Sequence, residues 1–240
     1  MRVKAIIAYD GSAYFGFQKQ TSTPQTIMSA LEKALHSLQI LSPIVGSGRT
    51  DAGVHASGQV IHFDLPPYWT DLKKLCLNLN RKLQDIQIKR ITEVNPLFHA
   101  RFSAKKRLYR YVFKTSKPSV FEQKYISYYP RFNPKKLQEA LDCFIGIHDF
   151  DYFRKTGSLT HTSIREIYMS RYKNYQHYHA IYFQANGFLR SQVRMMIEAS
   201  MLYATGKLSL KALKEQIAKT ARHSRRLAPP EGLYLAKILY

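Results

Sequence analysis

Gly46-Ser47-Gly48-Arg49-Thr50-Asp51-Ala52-Gly53-Val54-His55-Ala56-Ser57-Gly58-Gln59-Val60 runs directly into Ile61-His62-Phe63-Asp64-Leu65. The four glycines between Gly46 and Gly58 suit no regular helix or strand. Glycine permits positive φ and close backbone approach, so the stretch reads as a shaped loop. The alternation from Gln59 to Leu65 reads as a strand leading out of it. Arg49 and Asp51 put a guanidinium and a carboxylate two residues apart in the loop. A surface ion pair in a turn is the plain reading of such a pair. A nucleotide-cradling loop is excluded. Gly48 and Gly53 have the outer spacing of a P-loop, but Val54 and His55 stand where Lys and Ser/Thr are required. There is no G-x-G-x-x-G fingerprint.

Working outward, Arg2 to Asp10 is an apolar strand, followed by a Gly- and aromatic-rich loop to Gln20. Pro24 suits the first turn of a helix, with Ile27, Leu31, Ala34, Leu35 and Leu38 as its inward stripe. Ile44-Val45 is a short strand, Gly58 to Leu65 the next, Thr70 to Arg81 a helix, and Ile86 to Val94 a strand. The order is β-α-β-β-α-β, the ferredoxin-like plan. After Asn95 to His99 the pattern begins again. Lys105 to Lys117 and Tyr125 to Tyr129 are extended, and Pro134 to Ile145 is a helix. Ser163 to Tyr172 and His177 to Ala185 form a hairpin. Helices over Leu189 to Ala204 and Leu210 to Thr220 precede a closing strand from Leu233 to Tyr240. The expected fold is α+β: two ferredoxin-like halves, residues 1–102 with the loop and 103–240, joined in a mainly antiparallel sheet.

The chain has 240 residues, 37 Lys and Arg against 16 Asp and Glu, and a formal net charge of +21. Basic residues are spread along the chain, which predicts a basic face on a folded body and a polyanionic partner, nucleic acid before membrane. Cys76 and Cys143 read as small core residues of a reducing compartment. There is no long apolar signal core and no membrane-length apolar run, so a cytoplasmic protein is expected.

Three further groups bear on chemistry. In Lys105-Lys106-Arg107-Leu108-Tyr109-Arg110-Tyr111 the period of two puts Lys105, Arg107, Tyr109 and Tyr111 on one side. Cations for phosphates and rings for bases match RNA binding, while tyrosines on such a strand also fit a core, Tyr111 more than Tyr109. Arg190 and Arg194 share a helical face, with Glu198 four residues on as a competing partner. His177 and His179 share a strand face but lack a third ligand, so no metal is expected. Asp149 and Asp151 read as a solvated loop.

Together the motifs resemble the TruA-type tRNA pseudouridine synthases. The matching pieces are Tyr9-Asp10-Gly11, Gly16-Phe17-Gln18, Gly48 to Ala56 with Gly58-Gln59-Val60, and Arg107 to Tyr111. Phe188-Leu189 with Val193-Arg194, and Ala228 to Leu235, complete the set. They span nearly the whole chain in the family's order, and Arg49 to Ala56 is the most specific piece. The resemblance implies the pseudouridine-synthase fold and isomerisation of uridine to pseudouridine in the anticodon stem-loop of tRNA, at nucleotides 38 to 40. It also implies a homodimer with no cofactor and no required metal. It implies Asp51 as nucleophile, Tyr109 at the target base, and Arg49 and Arg194 as active-site arginines, one assisting base flipping and one pairing with the aspartate. The chain departs from the pattern at Gln192, where Met is usual, and at Glu198, where Gly is usual.

The chemistry suits these residue types. The N1–C1′ bond must break and a C5–C1′ bond form, without redox or hydrolysis. A carboxylate forms the covalent intermediate at C1′ or at C6, and an adjacent guanidinium favours its ionised form. A base in a stem must first be flipped out. A non-catalytic RNA-binding protein of ferredoxin-like build explains the charge and the tyrosines equally well, but not an Arg-Thr-Asp inside a Gly-rich loop. Hydrolysis of the glycosidic bond by Asp51 is a third reading.

Overall fold

Strict alternation makes the first strand. Arg2–Tyr9 (β1) buries Val3, Ala5, Ile7 and Tyr9 and turns the residues between them to the other face. The computed structural model describes residues 1–157 and 160–240. It divides into two compact units, residues 1–105 with 234–240, and residues 106–233.

In the first unit, β1 is followed by α1 (Ile27–His36), β2 (Val45–Gly46), β3 (His55–Asp64), α2 (Leu72–Asn80) and β4 (Ile86–Glu93). β1 lies antiparallel between β3 and β4. β2 takes the far edge of β3, with Val45 opposite His62. This is the split βαβ order. Thr26 caps α1 by accepting from Ser29 N, two residues after the proline expected inside the helix. Ile27, Met28, Leu31, Ala34 and Leu35 are buried beneath it. Asp71 caps α2 in the same way through Lys74 N. The Asn80 side chain ties the end of α2 to β4 through both backbone groups of Ile88, at 2.9 and 2.7 Å.

The closing strand β10 (Leu233–Leu239) differs from its place in the sequence order. Tyr234 and Leu235 pair in parallel with His55 and Ala56 of β3, so the strand extends the first unit. Gly58 allows the approach, because a Cβ there would lie 2.3 Å from the Ala236 carbonyl oxygen.

The second unit contains β5 (Lys106–Lys114), β6 (Ser127–Tyr128), α3 (Pro134–Asp142), β7 (Gly146–Asp149), β8 (Ile164–Asn174), β9 (His179–Ala185), α4 (Gln192–Ala204) and α5 (Leu210–Ile217). β7, β8, β9 and β5 pair antiparallel in that order, and β6 lies parallel to β5. Tyr111, Phe113, Phe144, Phe150, Phe153 and Phe183 fill its core. Asp149 and Asp151 are not a solvated loop. Asp149 receives Lys219 at 2.6 Å and Asp151 receives Arg154 at 2.7 Å. Burial opposes the Asp149 charge, yet its hydrogen bonds from Lys219 and Ser163 hold its carboxyl below the usual range. His177 precedes β9, while His179 lies within it, stacked on Phe113. The two therefore do not share a strand face.

Candidate active site

The loop between β2 and β3 is fastened on both sides of Asp51. At its entry, Ser47 N donates to Val60 O at 2.8 Å. The wholly buried Gln59 donates to Gly48 O at 2.7 Å and accepts from Val60 N at 3.1 Å. The next tie is Thr50, whose Oγ1 meets the Tyr9 hydroxyl at 2.8 Å in a buried pair. Its carbonyl accepts from Phe17 N at 3.1 Å. Past Asp51 the chain turns tightly, with Val54 N donating to Asp51 O at 3.2 Å and Gly53 N to Tyr14 O at 3.2 Å.

His55, 1% exposed, closes the turn. Its Nδ1 accepts from Gly11 N at 3.0 Å, and its ring stacks on Tyr234 at 4.8 Å. Asp10 Oδ1 is 3.3 Å from the same nitrogen. One lone pair cannot accept from Gly11 while that nitrogen also donates to a carboxylate, so the shorter bond decides the tautomer. Asp10 Oδ1 accepts instead from Ser12 N at 2.9 Å.

Gly16 is the second wall of the loop. It holds φ +107°, and a Cβ there would come within 2.8 Å of the Thr50 carbonyl oxygen. The glycines of the motif serve the protein's own packing, Gly46 against the Phe17 ring and Gly58 against β10. Asp51 is half-buried at the apex and Arg49 is exposed. Among the ion pairs given for the described residues none joins Arg49 to Asp51.

The second unit holds Tyr109 and Arg194. Tyr109 sits on β5 opposite Phe183 of β9, 7% exposed, with Phe188 edge-on at 5.1 Å. Tyr111, two residues on, is a core tyrosine whose hydroxyl donates to Ser127 Oγ at 2.8 Å. Burial pushes its hydroxyl far above the usual tyrosine range.

α4 begins later than its apolar stripe suggests. Ser191 is left-handed at φ +60°, and the helix starts at Gln192. Arg190 therefore precedes the helix and does not share a helical face with Arg194. The departure from Met at position 192 has a local role: the buried Gln192 Oε1 accepts from Leu189 N at 2.8 Å, satisfying a helix-entry donor.

Arg194 is clamped to the segment after α5. Its Nε donates to Ala228 O at 2.7 Å, and its carbonyl accepts from Ala228 N at 3.1 Å. This explains why Ala228 to Leu235 belongs with the motifs. Glu231 accepts from Ser127 Oγ at 3.1 Å, and the buried Gly232 packs against the Val112 carbonyl. Glu198 is engaged by the Tyr129 hydroxyl at 2.9 Å, which answers the competition expected for Arg194.

Sequence reasoning missed the Tyr9–Thr50 pair, the Gln59 staple, the His55 bond and the Ala228 clamp. All five residues stand inside these motifs, and each is polar or small where an apolar residue would also fit the pattern. Among the described residues no group of three His, Cys, Asp or Glu could hold a metal ion. No described helix is long and apolar enough to cross a membrane.

A family model described as tRNA pseudouridine synthase matches residues 5–103 and 140–240. The "tRNA pseudouridine synthase A" of Campylobacter jejuni strain RM1221 is 40% identical over 241 residues, covering 100% of both chains. That of Helicobacter hepaticus is 37% identical over 99% of this chain and 98% of its own. That of Bacillus pumilus is 36% identical over 100% and 99%. With the fastened Arg-Thr-Asp loop and the clamped Arg194 both within the matched residues, the chain belongs to the tRNA pseudouridine synthase family and has its α+β fold.

Proposed function

We propose that this protein isomerises uridine to pseudouridine in the anticodon stem-loop of tRNA, at nucleotides 38 to 40, with Asp51 as nucleophile. The observation that carries the reading is the loop itself. Both flanks of Asp51 are fixed by hydrogen bonds, the Tyr9–Thr50 pair among them buried, and the carboxylate stands half-buried at the apex. Such fixing suits a nucleophile, because a reacting group held in place needs little reorganisation at the moment of attack.

The reaction balances without a cofactor. The Asp51 carboxylate bonds to C1′ or to C6, and the N1–C1′ bond breaks with its electron pair on the uracil. The ring turns, C5 bonds to C1′, the bond to Asp51 breaks with its electron pair returning to the carboxylate, the C5 proton leaves and N1 takes up a proton. Tyr109, backed by Phe188, would present its ring to the flipped base, since stacking contributes about 1–3 kcal/mol per base. Arg49, exposed at the loop, would assist the flip, and Arg194 would pair with the carboxylate. As the family resemblance implies, the protein acts as a homodimer, and the absence of a signal core and of a membrane-length apolar run in the sequence supports a cytoplasmic location.

The test is Asp51→Asn assayed by tritium release from 5-tritiated uridine in tRNA. A folded variant is expected to lose activity by at least about 10³-fold, as loss of a covalent nucleophile does. Activity retained in a folded Asp51→Asn protein sinks the assignment. Free uracil among the products would point to hydrolysis.

A further inference from the structure

Lys219-Thr220-Ala221-Arg222-His223-Ser224-Arg225-Arg226 follows α5 and carries five basic side chains. Three of them are engaged. Lys219 meets Asp149 at 2.6 Å. Arg222 donates to Asp151 O at 3.1 Å and lies over the Tyr152 ring at 4.4 Å. His223 Nε2 is 2.7 Å from Glu215.

The backbone is fixed as well. The buried Gln216 side chain accepts from His223 N at 3.0 Å and Ser224 N at 2.9 Å, and donates to Ser224 O at 3.0 Å. The segment is therefore a mounted strip, not a loose arm. Arg225 and Arg226 are exposed, and neither guanidinium has a hydrogen bond or ion pair to a described residue. The neighbouring carboxylates are already engaged: Asp149 and Asp151 by Lys219 and Arg154, Glu215 by His223, and Glu231 by Ser127.

Two residues beyond Arg226, Ala228 clamps Arg194. Four residues before Arg194, Arg190 is also exposed, and its carbonyl takes Lys155 N at 3.1 Å, which brings exposed Lys155 alongside.

We propose that Arg225 and Arg226, with Arg190, form a phosphate-binding surface beside Arg194, occupied by the sugar–phosphate backbone of the substrate RNA next to the target uridine. The proposal rests on the reading of the protein as a tRNA pseudouridine synthase. Guanidinium forks match phosphate oxygens in two-point contacts. A strip already held by Gln216 loses little freedom when phosphate binds. Unlike Lys219 and His223, Arg225 and Arg226 have no anion among the described residues to satisfy them, so phosphates are the partner that the charge pattern leaves open.

The test compares Arg225→Ala/Arg226→Ala with Arg225→Lys/Arg226→Lys. A control, Lys33→Ala/Lys73→Ala, removes the same charge from exposed positions of the first unit. KM for a tRNA transcript and the salt dependence of its binding are measured. The alanine pair is expected to raise KM about tenfold, more than it changes kcat. It should also lower the slope of log affinity against log salt by about one per lost contact. The lysine pair keeps most of the slope, and the control leaves it unchanged. Wild-type KM and slope in the alanine pair overturn the proposal, as does an equal change in the control. If wild-type protein forms no pseudouridine in tRNA yet the slope still falls, the catalytic reading fails and the surface stands. If wild-type protein is active and the slope does not fall, the surface fails alone.

Discussion

At the residue scale, function depends on how tightly the neighbours of Asp51 are held. Gly16 is the most exacting of them, because its φ of +107° and its 2.8 Å clearance to the Thr50 carbonyl both exclude a side chain. Gly16→Ala is expected to destabilise the fold by about 1–3 kcal/mol, from backbone strain of this kind, and to lower kcat at least about tenfold by moving Thr50 and with it Asp51. A melting curve and single-turnover kinetics measure the two effects separately. Tyr9→Phe is gentler. It removes one buried bond and leaves the Thr50 hydroxyl unsatisfied, costing about 1–3 kcal/mol. Its activity should fall less than that of Gly16→Ala, because the Thr50 carbonyl keeps its bond from Phe17. The reverse order would mean that the hydroxyl pair, not the carbonyl contact, sets the loop.

At the element scale, α4 is held at both ends of its first two turns. Gln192 satisfies the entry, Ala228 clamps Arg194, and Glu198 takes the Tyr129 hydroxyl. Tyr129 is deeply placed: burial, then the charges of Tyr111 and Glu198, push its hydroxyl well above the usual range. Glu198→Ala removes the carboxylate acceptor of that hydroxyl and should cost about 1–3 kcal/mol, while Glu198→Gln keeps an acceptor and should recover most of it. Chemical denaturation of the two variants decides this, and equal losses would refute it.

The strands carry a pH effect. Burial lowers the pKa of His62, aided by the positive charges of Arg2 and His99, and burial alone lowers that of His179. Above the ordinary histidine value of about 6.5 both groups are neutral in folded and unfolded chains, and their contribution is constant. As pH falls through 6.5 the unfolded chain binds protons first, so stability declines from there down to the folded-state values. The melting temperature should fall between pH 7.5 and 5.5, and His62→Gln/His179→Gln should flatten that fall. The carboxylates held down by cations, Asp64 by Arg2 and Asp149 by Lys219 against the opposing effect of burial, act in a lower window. They lose their contribution only as pH drops below the ordinary aspartate range.

At the scale of the whole molecule, the charge of +21 governs encounter with RNA more than folding. Affinity for tRNA should drop steeply between about 50 and 200 mM salt, by orders of magnitude if six or more phosphates are contacted. Filter binding across that range checks it, and a flat response would remove the basic-face argument.

Much of this molecule was legible in the chain. Alternation in β1, the stripe of α1 and the glycines around Asp51 set the elements and the loop, because each is a local consequence of side-chain period or of allowed φ and ψ. The family motifs picked out the loop and Arg194, although they did not say what holds them. The tertiary structure decided which edge β10 joins, since backbone hydrogen bonds are blind to sequence and a closing strand reads the same wherever it pairs. It sent Tyr111 to the core and left Tyr109 against Phe188, two residues of like type on one face separated only by the packing around them. It started α4 at Gln192, because a single left-handed serine breaks a helix that no periodicity can mark. It also gave Glu198 to Tyr129, for a carboxylate goes to the donor that burial leaves in greatest need, and burial is a property of the folded chain.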